Sequence, residues 1–274
     1  MAELRPSNMD STVEHAYRLC EAGKWNEALA QFEALESRSA SASEKAGFLI
    51  DQATCYSELG AFEKARSLVA EARVLATGDV EAWAQVDFFA ATLLVMEKRE
   101  EEAVEAISQL LRDYRDWFGT TEGRELYQDV QLQRAFSLMH VPRYEEARAV
   151  LEEIMGFPLG EGDKVLVRCH LGRCYCELGD YSLAKEQFSD VNSLSVPENW
   201  ESVFHYYFGY VLYSLKEYRA AKREFILCLQ SEAEGPPVSL KYDMLAAVSG
   251  KLGERREMRL FEAKAKSSRE PERD

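Results

Sequence analysis

The residues best suited to chemistry lie in one short stretch, Cys169-His170-x3-Cys174-x-Cys176. Thiolate and imidazole serve both as zinc ligands and as a nucleophile–base pair. On a helix, His170 and Cys174 share one face, and Cys169 and Cys176 share another. One helix thus offers two or three donors to a side, whereas zinc takes four that converge tetrahedrally. No second cluster completes the set, because His15, His140 and His205 are scattered. A Cys–His nucleophile would also need a depressed thiol pKa and an orienting third group. The chain has no Gly-rich phosphate loop and no dinucleotide fingerprint. Acid runs such as Glu100-Glu101-Glu102 and Glu152-Glu153 read as solvated helix faces. The expectation is a protein that is not an enzyme, with no cofactor and no metal.

The elements that carry these residues follow from composition and periodicity. Gly 15 and Pro 7 in 274 residues leave few turns, which argues against a sandwich or barrel of many short strands. With 46% hydrophobic residues the chain is not disordered. The net charge of −15 disfavours nucleic acid and anionic membrane as main partners, since both repel an acidic surface. No apolar run approaches the ~18 residues of a membrane span, and Met1 to Asp10 lacks the apolar core of a signal peptide. The six cysteines lie unevenly inside apolar helical patterns, as reduced, buried thiols would. A cytoplasmic location without membrane insertion is expected.

One phrase recurs: a break, a bulky residue, two residues, then Ala. It reads Gly23-Lys24-Trp25-Asn26-Glu27-Ala28 and Gly60-Ala61-Phe62-Glu63-Lys64-Ala65. Weaker copies end at Ala103 and Ala147, clear ones at Ala184 and Ala221, and a degenerate one at Met258. The spacings between these anchors are 37, 38, 44, 37, 37 and 37 residues. A small residue precedes each break: Ala16, Ala53, Ala91, Ala135, Gly172, Gly209 and Ala246. Close helix–helix approach needs a residue that small. Apolar residues follow each anchor at helical spacing, as in Ala28, Phe32, Leu35 and Ala184, Phe188, Val191. Each unit therefore reads as a helical hairpin.

The unit Leu171-Gly172-x2-Tyr175, Gly179-Asp180-Tyr181, Ala184-x3-Phe188, then Pro197 resembles the tetratricopeptide repeat, with Arg168 where Trp is usual and a period of 37 rather than the family's common 34. The resemblance implies an all-α, right-handed superhelical solenoid of about seven hairpins, spanning residues 9–266 as a single domain. Units start near residues 9, 46, 84, 128, 165, 202 and 239, the last serving as a cap. Stacking is what buries an apolar face that one hairpin cannot bury alone. Residues 1–8 and 267–274 read as disordered ends. The 44-residue spacing marks an insertion at 111–127, in which the third unit's second helix extends through Tyr114 and Phe118, with Gly119 to Gly123 as its stop. That segment is either a tolerated surface insertion, a change of superhelix direction, or a flap bearing Trp117 and Phe118.

The same resemblance implies that first helices line a concave groove, with positions three before, one after and four after each small residue on the inner face. The groove residues expected to bind are Tyr17, Phe88, Phe136, Met139, Cys169, Arg173, Tyr206, Tyr210 and Tyr213. The Lys/Asn/Arg clamp by which some family members hold a C-terminal carboxylate is missing. Arg173 is the one basic residue on the row, placed to meet a partner carboxylate or to pair with Glu177 one turn on. Tyrosine joins an apolar face to a polar tip, which suits an interface, although the three tyrosines are equally able to pack between units. Glu14, Glu21, Asp51, Glu58 and Glu177 border the stripe. The expected role is a non-catalytic scaffold or adaptor for a protein or peptide with apolar or aromatic anchors and basic flanks. The other reading is a sensor that binds a small signal peptide or ligand and modulates a separate partner.

Overall fold

A computed structural model describes residues 11–191 and 196–269. The expected tail 1–8 lies outside the described residues, as does most of 267–274. Among the described residues every regular element is helical. These are α1 (Ser11–Glu21), α2 (Trp25–Glu36), α3 (Ala42–Glu58), α4 (Phe62–Leu75), α5 (Val80–Met96), α6 (Glu100–Asp113), α7 (Arg115–Phe118), α8 (Gly123–His140), α9 (Tyr144–Ile154), α10 (Glu161–Leu178), α11 (Tyr181–Val191), α12 (Glu201–Ser214), α13 (Tyr218–Gln230), α14 (Val238–Lys251) and α15 (Arg255–Ser267). A short 3-10 turn, Glu198–Trp200, leads into α12. The chain is an all-α helical-repeat solenoid.

The chain divides into two compact units, Met1–Val141 and Pro142–Asp274. The first contains α1 to α8 and the second α9 to α15. In the first, α1 pairs with α2, α3 with α4 and α5 with α6; in the second, α10 pairs with α11, α12 with α13 and α14 with α15. Each hairpin also packs on the next within its unit, as α2 does on α3 and α13 on α14.

The recurring break is a helix stop of one design. In the turn after α10, Gly179 has φ 87° and its N–H bonds the Cys176 carbonyl at 3.1 Å, while Asp180 N–H reaches the Tyr175 carbonyl at 2.8 Å. This pair of bonds is the Schellman motif, which closes a helix through a left-handed residue. The same two bonds recur after α1, α3, α5, α12 and α14. Glycine fills the left-handed position at 23, 60, 179 and 253, but Lys98 and Lys216 hold it with φ of 60° and 66°. The next residue's carbonyl then starts the second helix: Ala28, Ala65, Ala103, Ala184 and Ala221 each bond the carbonyl four residues back. This fixes the anchor alanines inside the hairpin, where all five are fully buried.

The small residues do what close approach requires. A Cβ on Gly172 would lie 2.6 Å from the Phe188 ring, and one on Gly209 would lie 2.8 Å from the Phe225 ring. Phe188, Phe204, Phe208 and Phe225 build the core of the second unit.

The 111–127 segment is part of the core rather than a flap. Tyr114 ends α6, α7 follows after this single non-helical residue, and Tyr114 and Phe118 are buried with Ile107, Leu110, Leu126 and Val130. Phe118 meets Trp117 at 5.4 Å and Tyr127 at 5.5 Å between ring centres. Gly123 was expected in a linker; instead it opens α8, and a Cβ there would collide with the Trp117 carbonyl. The apolar side chains of α7 have a helix to pack against because α7 is tucked onto α8. Burying Phe118 outweighs leaving it exposed by about 2 kcal/mol.

Candidate functional site

In the first unit, Tyr17, Phe88 and Phe136 are half-buried along the first helices of their hairpins. Met139 is not available on that face: it is 2% exposed, because its helix turns this side chain into the packed interior. Tyr17 is tied to the next hairpin. Its hydroxyl lies 3.1 Å from both carboxylate oxygens of Asp51, and its ring meets Phe32 edge-on at 5.4 Å. Burial raises the Tyr17 hydroxyl well above its ordinary value. Burial also pushes the Asp51 carboxyl up to about 7, with the Tyr17 hydrogen bond pulling the other way. A cleft of about 360 Å³ lies between α4 and α5. Its floor includes Val69, Val86 and Leu93, and its rim charges are already engaged, Arg73 with Asp87 at 2.7 Å and Arg66 with Glu97.

In the second unit, the Cys–His cluster lies among packed, buried side chains. Cys169, Cys174 and Cys176 are buried, and burial pushes each thiol up to about 12. A thiol held protonated is neither a nucleophile nor a metal ligand. His170 is buried as well, its ring 4.2 Å from Trp200 in an edge-on contact. Cys169 therefore does not line a groove either, since it sits on the fully buried side of α10. Among the described residues no three His, Cys, Asp or Glu side chains are grouped to hold a metal ion.

Arg173 does not pair with Glu177, the acid one turn on, among the described residues. Its guanidinium lies 5.5 Å over the ring of Tyr207, and the Tyr207 hydroxyl donates to Glu177 at 3.0 Å. The ring is thus interposed between the cation and the acid. The Nε of Arg173 is buried with no hydrogen-bond partner among the described residues. Tyr207 falls off the row expected from the sequence, yet it meets both Arg173 and Glu177. The signal was present as the unbroken run His205 to Phe208, too aromatic for one helix face.

Tyr206, Tyr210 and Tyr213 are half-buried on α12, each in ring contact with a neighbour. Tyr206 meets Phe225 at 6.2 Å, Tyr210 meets Tyr181 at 6.3 Å and Tyr213 meets Tyr218 at 5.6 Å. Packing and exposure thus coexist in the same rings. Burial pushes the Tyr206 hydroxyl up to about 12 and raises Tyr210 above its usual value. The Tyr206 and Tyr210 hydroxyls thus stay neutral donors at physiological pH.

One further titratable group is internal. Lys241, 5% exposed, donates to Ser202 Oγ at 2.8 Å and to the Cys228 carbonyl at 2.9 Å. The Cys228 thiol in turn donates to the Ser202 carbonyl at 3.2 Å. The trio fastens α12, α13 and α14 together and leaves Lys241 no opening to a substrate.

No protein-family model and no curated protein matches the chain. Solved structures do. A signal-transduction ATPase with a tetratricopeptide repeat sensor from Pyrococcus horikoshii is similar over 93% of this chain and 41% of its own, with TM-score 0.73 and 18% identity. The apo form of the quorum sensor NprR from B. thuringiensis is similar over 96% of this chain and 90% of its own, with TM-score 0.62 and 13% identity. A tetratricopeptide repeat protein from Parabacteroides merdae gives 95%, 93%, 0.59 and 14% for the same four measures. The helix pairs, the shared turn design, the small-residue contacts and these similarities lead to one conclusion: the chain has the tetratricopeptide-repeat fold.

Proposed function

We propose that the chain is a non-catalytic scaffold that binds a protein or peptide segment, and that the second unit's α10–α12 surface is a principal contact. The observation that carries this is the row Tyr206, Tyr210 and Tyr213, half-buried at successive turns of α12. Aromatic rings already held by neighbours lose little conformational entropy when a partner covers them. The half-buried Arg173, its guanidinium held over the Tyr207 ring, adds a cation beside the row that can meet a backbone carbonyl or side-chain oxygen. The acid Glu177 at the edge favours a partner with an apolar centre and basic flanks. Tyr17, Phe88 and Phe136 are the corresponding candidates in the first unit.

The test is affinity purification with mass spectrometry, followed by Tyr206→Ala with Tyr210→Ala. Loss of the captured partner with an unchanged helical CD spectrum supports the site. Undiminished capture by the folded variant overturns it. The likeness to two proteins described as sensors favours one second reading, in which a small signal peptide or ligand occupies the same surface and alters a separate partner. That reading requires a ligand-dependent rise in Tm with peptide or metabolite fractions, and a flat response removes it.

A further inference from the structure

The charge of this chain is unevenly distributed, and its C-terminal hairpins run against the whole. Residues 1–141 hold 14 Lys and Arg against 25 Asp and Glu, whereas residues 216–269 hold 12 against 8. The excess is displayed rather than paired. On α13, Arg219, Arg223, Ile226 and Leu227 are exposed at spacings that form one stripe. On α15, Arg256, Arg259, Leu260 and Ala263 form another. The four arginines make no ion pair among the described residues, while neighbouring cations such as Lys222 do. Leu260 is 52% exposed and Leu227 43%, so aliphatic side chains stand among the guanidinium groups. The two helices are bridged by a side chain: Lys222 of α13 reaches Glu254 and Glu257 at the start of α15, both at 2.6 Å.

We infer that this outward face of α13 and α15 is a second binding surface, and that its occupant is a short acidic polypeptide segment carrying aliphatic residues. Charge complementarity selects the acid. The interspersed Ile226, Leu227 and Leu260 select aliphatic side chains, each worth more once desolvated than at the rim. Arginine suits carboxylates in particular because its fork matches them bidentately. The size of the face selects a segment. Each helix has 13 residues, about 20 Å of length, which accommodates about one or two turns of helix or a short extended strand. A polyanion or a bilayer would extend past that area onto acidic surface and be repelled there. The face lies on second helices of hairpins, apart from the α12 tyrosines, so the two sites are separable by mutation.

The experiment is fluorescence anisotropy with a fluorescein-labelled synthetic peptide of alternating Glu-Glu and Leu-Leu pairs. An all-Glu peptide and vesicles containing phosphatidylserine serve as comparisons. The full chain should bind the mixed peptide, at least about tenfold more tightly than the all-Glu peptide, with affinity falling as salt rises from about 0.05 to 0.2 M. The quadruple substitution Arg219→Glu, Arg223→Glu, Arg256→Glu, Arg259→Glu should lower affinity by about a hundredfold or more. The milder Arg223→Gln with Arg256→Gln should lower it by about tenfold with an unchanged melting curve. Tyr206→Ala should leave it unaltered. No binding of the mixed peptide, equal binding by the charge-reversed chain, equal affinity for all-Glu, or preference for vesicles would each overturn the inference.

Discussion

At the scale of single residues, the structure concentrates its unusual electrostatics in the Tyr17–Asp51 pair. Asp51 titrates near 7 when folded, against about 3.9 for a free aspartate. A raised folded pKa means that the folded state holds the proton more tightly than the unfolded one. The favourable contribution is complete below about pH 4 and is lost as pH rises through 7. Asp51→Asn keeps an oxygen that accepts from Tyr17 and removes the ionisation. The variant should therefore gain stability over the wild type as pH rises from about 4 to 7, and the gain should level off above that. Thermal melts across that range check it, and a constant offset would contradict it. Lys216 offers a simpler case. It occupies a left-handed turn with φ 66°, a conformation that costs an L-residue about 1–2 kcal/mol and glycine almost nothing. Lys216→Gly should raise stability by about 0.5–1 kcal/mol in urea unfolding.

At the scale of helices, the hairpin is specified by a few positions that the sequence displays openly. The left-handed stop, the anchor alanine and the small residue facing a ring are readable because each satisfies a local steric demand. Gly172→Ala should destabilise by about 1–3 kcal/mol, since the new methyl and the Phe188 ring cannot share the space without displacement. Gly172→Ala with Phe188→Leu should recover part of that loss, and chemical denaturation reads both. What the sequence did not disclose depends on tertiary position. Trp117 and Phe118 look alike as flap or core until α8 is placed, and Gly123 looks like a linker until α7 packs across it. Met139 and Cys169 share a row with half-buried residues, yet their side chains fall on the packed side of their helices. The interposition of Tyr207 between Arg173 and Glu177 involves two helices, so no spacing within one could announce it.

At the scale of the molecule, stability in an array is a sum of intrinsic and neighbour terms, so the end unit carries particular weight. Phe261 of α15 stacks on Tyr242 at 6.2 Å, and Met258 covers Gly250. Ending the chain before Glu254 would uncover this side of α14. Such a truncation should lower Tm and promote aggregation, whereas ending it before Val238 should restore solubility at reduced Tm; size-exclusion chromatography distinguishes them. The uneven charge belongs to the same scale, because only a count over whole hairpins reveals it. The neighbour-by-neighbour packing has one further consequence. Even far-reaching side-chain bonds such as Arg73 to Tyr114 and Lys241 to Ser202 span 41 and 39 residues. A nascent chain therefore has each hairpin's first partner in hand once about forty more residues leave the ribosome. Folding can keep pace with translation, N-terminus first, without waiting for the last codon.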